Sequence, residues 1–380
     1  MPVPLNLAIA TNRIASRAPT GVERYTRELA LAMHARSDVR CEIVAPREEG
    51  EATWAPPGLS SVHVPYPRRL TIAMWCTIRR PRLDRFLHQP DLVHVAAPTF
   101  PMPAAAPVVY TVHDVLPLVQ PDWFTSRNRF GFRLGMREVQ RRAAAIIADS
   151  TATADGLVEL VGVDRSRITV VPLGVSTAFL RGASAAEAEA AARAVGVEPN
   201  QFVLHVGDLS PRKNVPLLVR AVARMPEPIP LVLAGPDDRG AEAVRELVDR
   251  LGVRGLVHVV GYVPDSTLVP LIVAARAVVH PSRAEGFGLT PLEAMAAGTP
   301  AIVATTKSLP DEVAGAAIVR DADDVDTWAS AVDSLRDAEL REDIALRGRA
   351  AAAQFTWAHT AERTVAVYRS VLDPLRTRGG

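Results

Sequence analysis

Cysteine is nearly missing. Cys41 and Cys76 are the only two among 380 residues, and no motif spacing pairs them. That excludes a disulfide framework and argues against a thiolate zinc site. Aromatic residues make up 5% of the chain, too few for a base-stacking platform, and no nucleic-acid motif accompanies them; nucleic acid is discounted as a partner. No apolar run approaches the ~20 residues of a membrane-spanning helix. The opening MPVPLNLAIATNR lacks the basic start and long apolar stretch of a secretory signal, so a cytoplasmic address is expected. The nine histidines show no H-E-x-x-H or comparable ligand spacing. Lysine is absent from residues 1–175, which hold 21 Arg against 16 acids, or +5, while the remainder carries −4. A basic first half points to an anionic contact there.

What is present is a rhythm. Short apolar stretches alternate with helical patterns: LNLAIA (5–10), CEIVAP (41–46), LVHVAAP (92–98), PVVYTVHD (107–114), AAIIADS (144–150) and ITVVPLGV (168–175), with helices over about 22–33 and 126–143. The second half repeats this with FVLHVGD (202–208), IPLVLAGP (229–236), LVHVVGYVP (256–264), ARAVVHP (275–281), AIVAT (301–305) and AAIVRD (316–321). Such alternation predicts parallel sheets covered on both faces, here twice. The expected organisation is an α/β chain of two doubly wound, Rossmann-like domains, residues 1–175 and 176–360, with a helical segment 361–380 packing back on the first. Ligands in such sheets bind at the carboxyl ends of the strands, so a small-molecule site in an interdomain cleft is the default.

Two segments carry the strongest chemical signal. In EGFGLTPLEAMAAGTP (285–300), Gly286 and Gly288 stand before a short helix. Thr290 is the expected N-cap, Pro291 the first helical residue, and Glu293 completes a capping box. A glycine loop opening onto a helix N-terminus can hold an anion; it can also simply make the turn. In HVGDLSPRKN (205–214), Gly207 ends a strand and Arg212 and Lys213 precede a helix start, where cations oppose the dipole unless an anion joins them. A guanidinium fork beside an ammonium suits a diphosphate. His113, at the carboxyl end of a strand, reads as a hydrogen-bond donor, a general base or a packed structural residue. Gly21, ahead of the first helix, lets backbone approach a phosphate. Two basic stretches remain. Residues 66–86 mix six Arg with Tyr66, Trp75 and Phe86, and Arg129, Arg133, Arg137 and Arg141 form a stripe at four-residue spacing. Both suit anionic lipid headgroups, an anionic acceptor or plain solvation.

These residues together resemble the family-4 type glycosyltransferases, retaining enzymes of the GT-B fold that use nucleotide sugars. The resemblance rests on Glu285-Gly286-Phe287-Gly288-Leu289 with Glu293 (the E-x7-E signature), on Arg212-Lys213-Asn214, on LAGPD (233–237) and on SLPDEVAG (308–315). Thr290 departs from the proline many members have. The resemblance implies a nucleotide-diphosphate-sugar donor, with Glu293 accepting hydrogen bonds from the ribose and Glu285 with the backbone of Gly286, Phe287, Gly288 and Leu289 holding sugar and phosphates. Arg212 and Lys213, with Gly207 beside them, would neutralise the diphosphate, Gly21 would approach it from the other domain, and His113 would lie beside the transferring carbon. No carboxylate is placed as a nucleophile; Asp114 is either a candidate for that role or a brace for His113. The partners expected are the donor and a hydroxyl acceptor, with peripheral contact at the inner membrane face through the basic domain. A metal is not expected. The TGVERYTREL stretch (20–29) resembles members that build bacterial surface polysaccharides with mannose or related sugars. A nucleotide-sugar 2-epimerase or phosphorylase of the same fold, a dinucleotide-dependent dehydrogenase and a non-catalytic sugar-nucleotide-binding protein stay open as alternatives, the dehydrogenase disfavoured because no G-x-G-x-x-G follows the first strand.

Overall fold

A computed structural model describes residues 4–12, 20–47, 58–305 and 308–376. The chain divides into two compact units, Met1–Gly174 with Trp357–Gly380, and Val175–Thr356. The return to the first unit therefore falls at Trp357, ahead of the 361 read from the sequence.

The first unit holds seven parallel strands: β1 (Leu5–Ala10), β2 (Val39–Arg47), β3 (Ser60–Pro67), β4 (Leu92–Val95), β5 (Val108–Val112), β6 (Ala143–Ala148) and β7 (Ile168–Val170). Their order is β3-β2-β1-β4-β5-β6-β7. Strands β4 and β5 are buried at every position, as parallel strands covered on both faces must be. Strand β3 was not foreseen. It is a mostly exposed edge strand carrying Pro65 and Pro67, and it lacks the apolar run by which the others are read. The order reverses between β1 and β4, the place where doubly wound sheets open a crevice. The long helix Trp357–Arg376 packs against helix Gly21–His34. Its Trp357 ring lies 5.9 Å from that of Tyr25, and the buried Tyr368 hydroxyl hydrogen-bonds with His94 Nδ1 at 2.5 Å.

The second unit repeats the plan with six parallel strands: β8 (Val203–Val206), β9 (Leu231–Ala234), β10 (Val257–Gly261), β11 (Ala277–His280), β12 (Ala301–Ala304) and β13 (Ile318–Arg320). Their order is β10-β9-β8-β11-β12-β13, reversing between β8 and β11. Helix Val215–Arg224 turns Val215, Leu218, Val219 and Val222 into the core, the spacing of one helical face.

The helix in the second glycine segment differs from expectation in two ways. It runs Leu289–Ala296, and its N-cap is Gly288 with φ 95°, without a side-chain cap. Thr290 lies inside the helix, so the Thr290–Glu293 capping box does not form. The reason is local: Gly288 turns through the left-handed region, where glycine has no steric cost, and the helix starts at once. The helix is also buried on all sides from Pro291 to Ala296 rather than on one face. Gly348 allows this on the neighbouring helix Ala338–Ala352, since a Cβ there would lie 2.9 Å from Met295 Cγ. At the far end Thr299 donates to the Ala294 carbonyl and Gly298, at φ 83°, to that of Met295, a Schellman ending.

Candidate functional site

The carboxyl ends of β8 and β11 flank the point where the second sheet reverses, and the sequence-predicted residues of that unit gather there. His205 and Gly207 come from the end of β8 and His280 is the last residue of β11. The short turn Pro211–Lys213 and the 281–288 loop carry the charges. Arg283 N–H donates to the Arg212 carbonyl at 3.0 Å and so ties the two loops together. Asn214, in the left-handed region at φ 53°, donates through Nδ2 to the Ala322 carbonyl at 2.8 Å. It fixes the turn that aims Arg212 and Lys213.

Glu285 is the hub. Arg212 Nη1 donates to its Oε2 at 2.6 Å, Lys213 Nζ to its Oε1 at 2.8 Å, and His280 Nε2 lies 3.1 Å from the same Oε1. Burial alone would raise the Glu285 carboxyl, but Lys213, then Arg212 and the His280 hydrogen bond outweigh it and hold the group well below the usual carboxylate range. His280 is pushed down, first by burial and then by the Lys213 charge, so its ring is neutral near pH 7. His205, its stacked neighbour with centroids 6.5 Å apart, is pushed down to about 3 by burial and by the His280 and Lys213 charges. Two cations against one carboxylate leave the cluster with one net positive charge. Its side chains are largely shielded, with Lys213 10% and Glu285 12% exposed, so that charge acts at low dielectric.

Around this charge stand groups whose hydrogen-bonding capacity the protein leaves unused. The Ser210 and Ser282 hydroxyls, His205 Nε2 and His280 Nδ1 are buried and have no hydrogen-bond partner among the described residues. The first turn of the Leu289–Ala296 helix adds amides without intrahelical acceptors. Phe287, buried and 6.1 Å centroid to centroid from Phe355, anchors the loop. Gly207 leaves Lys213 its place, since a Cβ would lie 3.2 Å from Lys213 Cε; Gly235 comes closer still, with a Cβ position 2.0 Å from the Gly207 carbonyl oxygen. Glu293 is on the same helix, 3% exposed, inside the unit rather than on its surface. Basic and amide donors converging on one buried point suit a multiply charged anion.

The other candidates belong to the first unit. Gly21 opens helix Gly21–His34, where Thr20 and Glu23 form a capping box, and no described residue lies within 4 Å of where its Cβ would stand. His113 follows β5, with Nε2 2.9 Å from the Ala96 carbonyl and Nδ1 2.6 Å from Asp149 Oδ2. The brace for His113 is therefore Asp149, after β6, while Asp114 Oδ1 accepts the Leu116 N–H. Asp149, His280 and His205 were missed by sequence reasoning; only their positions at strand ends could have marked them. Two Asp-x-Asp spacings, 321–323 and 324–326, were also passed over. Asp324 caps helix Val325–Ser334, and Asp323 pairs with Arg283 at 2.6 Å. Among the described residues no group of three or more His, Cys, Asp or Glu could hold a metal ion.

The family model described as Glycosyl transferases group 1 matches residues 188–351, and that described as Glycosyltransferase Family 4 matches residues 19–179. The chain is 31% identical over 266 residues to O-antigen chain mannosyltransferase B of Escherichia coli, a match covering 69% of this chain and 70% of that one. It is 35% identical over 256 residues to D-inositol 3-phosphate glycosyltransferase of Mycolicibacterium smegmatis, covering 64% of this chain and 57% of that relative, little over half its length. Among solved structures, Anabaena HepE in complex with UDP and glucose superposes with a TM-score of 0.75 at 19% identity, over 96% of this chain and 100% of that one.

Proposed function

This chain belongs to the family-4 type glycosyltransferases and has the GT-B fold, and we propose that it moves a hexosyl group, mannosyl or a close relative, from a nucleotide-diphosphate sugar to a hydroxyl acceptor with retention of configuration. The observation that carries this reading is the Arg212–Lys213–Glu285 cluster at the reversal point of the second sheet. Glycosyl transfer breaks the bond between the anomeric carbon and a phosphate oxygen, positive charge spreads over the sugar, and negative charge collects on the diphosphate. Fixed cations and amides aimed at that charge are the main catalytic lever. In this reading Arg212, Lys213 and the first-turn amides after Gly288 receive the diphosphate, Glu293 accepts from the ribose hydroxyls, and Glu285 holds the cations apart and contacts the sugar. In this reading the departing phosphate takes the acceptor proton on the face it leaves, which retains configuration.

Likeness to an O-antigen chain mannosyltransferase favours a mannose donor and a bacterial surface polysaccharide or glycolipid as acceptor. Likeness to the D-inositol 3-phosphate enzymes favours a second reading, an anionic polyol acceptor free in solution. The basic surface of the first unit fits either. On helix Ser126–Arg142, Arg133, Arg137 and Arg141 are exposed with Phe130, and the one acid of that helix, Glu138, is buried and paired with Arg79 at 2.5 Å. Peripheral contact with anionic lipid at the inner membrane face is part of the proposal; no described helix is long and apolar enough to cross a membrane.

The test is turnover. The chain is incubated with GDP-mannose, UDP-glucose and TDP-glucose in turn, with lipid-linked and soluble acceptors, and the product anomer is read by NMR. Release of nucleoside diphosphate with an α-linked product from an α-linked donor agrees with the proposal. An inverted product, or epimerised free donor without acceptor, contradicts it.

A further inference from the structure

Both nitrogens of the His113 ring end on oxygen atoms, and neither oxygen is placed to be a substrate's. Nε2 meets the Ala96 carbonyl at 2.9 Å and Nδ1 meets Asp149 Oδ2 at 2.6 Å. A peptide carbonyl has lone pairs and no proton to give, so Nε2 must carry hydrogen. A carboxylate likewise only accepts, so Nδ1 must carry one as well. A general base needs a bare nitrogen turned toward the proton it removes. This ring has none.

We infer that Asp149 holds His113 as a doubly protonated imidazolium, so that the ring enters sugar transfer with no bare nitrogen and takes no proton in it. Asp149 is thereby a positioning residue, and the inference rests on the transferase reading for its catalytic half only. The surroundings agree. Among the described residues the groups facing the ring are Asp149 after β6, Asp114 beside it in sequence, Tyr25 from helix Gly21–His34 and His94 from β4. Tyr25 presents its ring at a 4.7 Å centroid distance, nearly perpendicular, and its hydroxyl is turned away to Thr111 at 2.8 Å. His94 is neutral, pushed down to about 3 by burial and then by the His113 charge; its two nitrogens are occupied by Tyr368 and Thr111. Two carboxylates therefore act on His113 against burial, and the balance raises its affinity for the second proton above the ordinary imidazole value. Asp149, 2% exposed, has its other oxygen buried with no hydrogen-bond partner among the described residues. A cation beside a buried carboxylate offsets the cost of taking that charge out of water.

The experiment has two arms that fail separately. In the free full-length chain, long-range proton–nitrogen NMR reads the protonation of each histidine nitrogen, with His113 assigned by loss of its signal in His113→Gln. The expected result is both nitrogens protonated at pH 7.5, with a midpoint above ~6.5 that drops in Asp149→Asn. A ring with one proton at pH 7.5, or an unmoved midpoint in Asp149→Asn, overturns the inference whatever reaction the protein catalyses. In turnover, kcat/KM of the wild type falls as pH rises through that midpoint; Asp149→Asn shifts the fall to lower pH and regains most of its activity in acid. A general base would give the opposite slope, and a merely structural Asp149 would lower activity equally at all pH. Either outcome removes His113 from the role assigned. Should Asp149→Asn not fold, the wild-type titration and the direction of the wild-type pH slope decide the two arms alone.

Discussion

Lys213 Nζ stands 2.8 Å from Glu285 Oε1, on side chains that are 10% and 12% exposed. The pair is shared, since Arg212 holds the other carboxylate oxygen at 2.6 Å. One negative charge therefore keeps two positive ones in place. A buried pair of this kind is weak evidence for stability; here it holds two cationic side chains fixed in position.

Arg212→Ala and Lys213→Ala should each lower turnover far more than folding stability. Loss of one preorganised charge at a developing oxyanion typically lowers kcat by ~10²–10³-fold. Steady-state kinetics beside thermal unfolding measures both. Normal turnover in the Arg212 variant would remove that residue from its assigned role.

Glu293→Ala should weaken nucleotide affinity. Charge-assisted hydrogen bonds contribute about 1.5–3 kcal/mol, which corresponds to roughly ten- to a hundredfold in Kd. Calorimetric titration with the nucleoside diphosphate and with inorganic pyrophosphate separates ribose from phosphate, and only the first should change.

The Glu285 carboxyl gives a pH dependence of fixed sign. Its folded value lies below the unfolded one, so its contribution to stability is complete above the unfolded carboxyl value near 4.5 and is lost as pH falls through the folded value. Glu285→Gln should flatten that acid limb in denaturation measured from pH 6 downward. A limb as steep as the wild type's would mean other carboxylates carry it.

Backbone predictions concern two glycines. Gly288→Ala forces a left-handed alanine and places its Cβ 2.3 Å from Leu309 Cδ2, the end of a side chain; Gly235→Ala meets the Gly207 carbonyl oxygen at 2.0 Å, which is backbone. The first should destabilise by about 1–3 kcal/mol, and the second by more, because backbone cannot swing aside. Denaturant midpoints order the two, and the reverse order would show that the β8–β9 ends can separate.

The sheets were legible because parallel strands buried on both faces are short apolar runs, as in VVYTV at β5 and AVVH at β11. Edge strand β3 was not, because exposure and proline erase that run. Glu285, Arg212 and Lys213 could be named because glycines and charges mark loops in one dimension. Their mutual pairing could not, since positions 212 and 285 meet only when β8 and β11 lie side by side. Thr290 was misread for a physical reason: a threonine two residues after a glycine satisfies the capping pattern, but the left-handed turn at Gly288 starts the helix first. Asp149 was hidden in AIIADS as a polar strand end until the fold set it against His113.

Binding of nucleoside diphosphates and monophosphates to the free chain, measured by calorimetry for the wild type and for an Arg212→Ala, Lys213→Ala double variant that keeps its fold, probes the charge cluster most directly. The account predicts that UDP or GDP binds at least about tenfold tighter than its monophosphate, and that the difference collapses in the double variant while monophosphate binding persists. Equal affinity for the two nucleotides in the wild type, or an unchanged preference in the double variant, would contradict it.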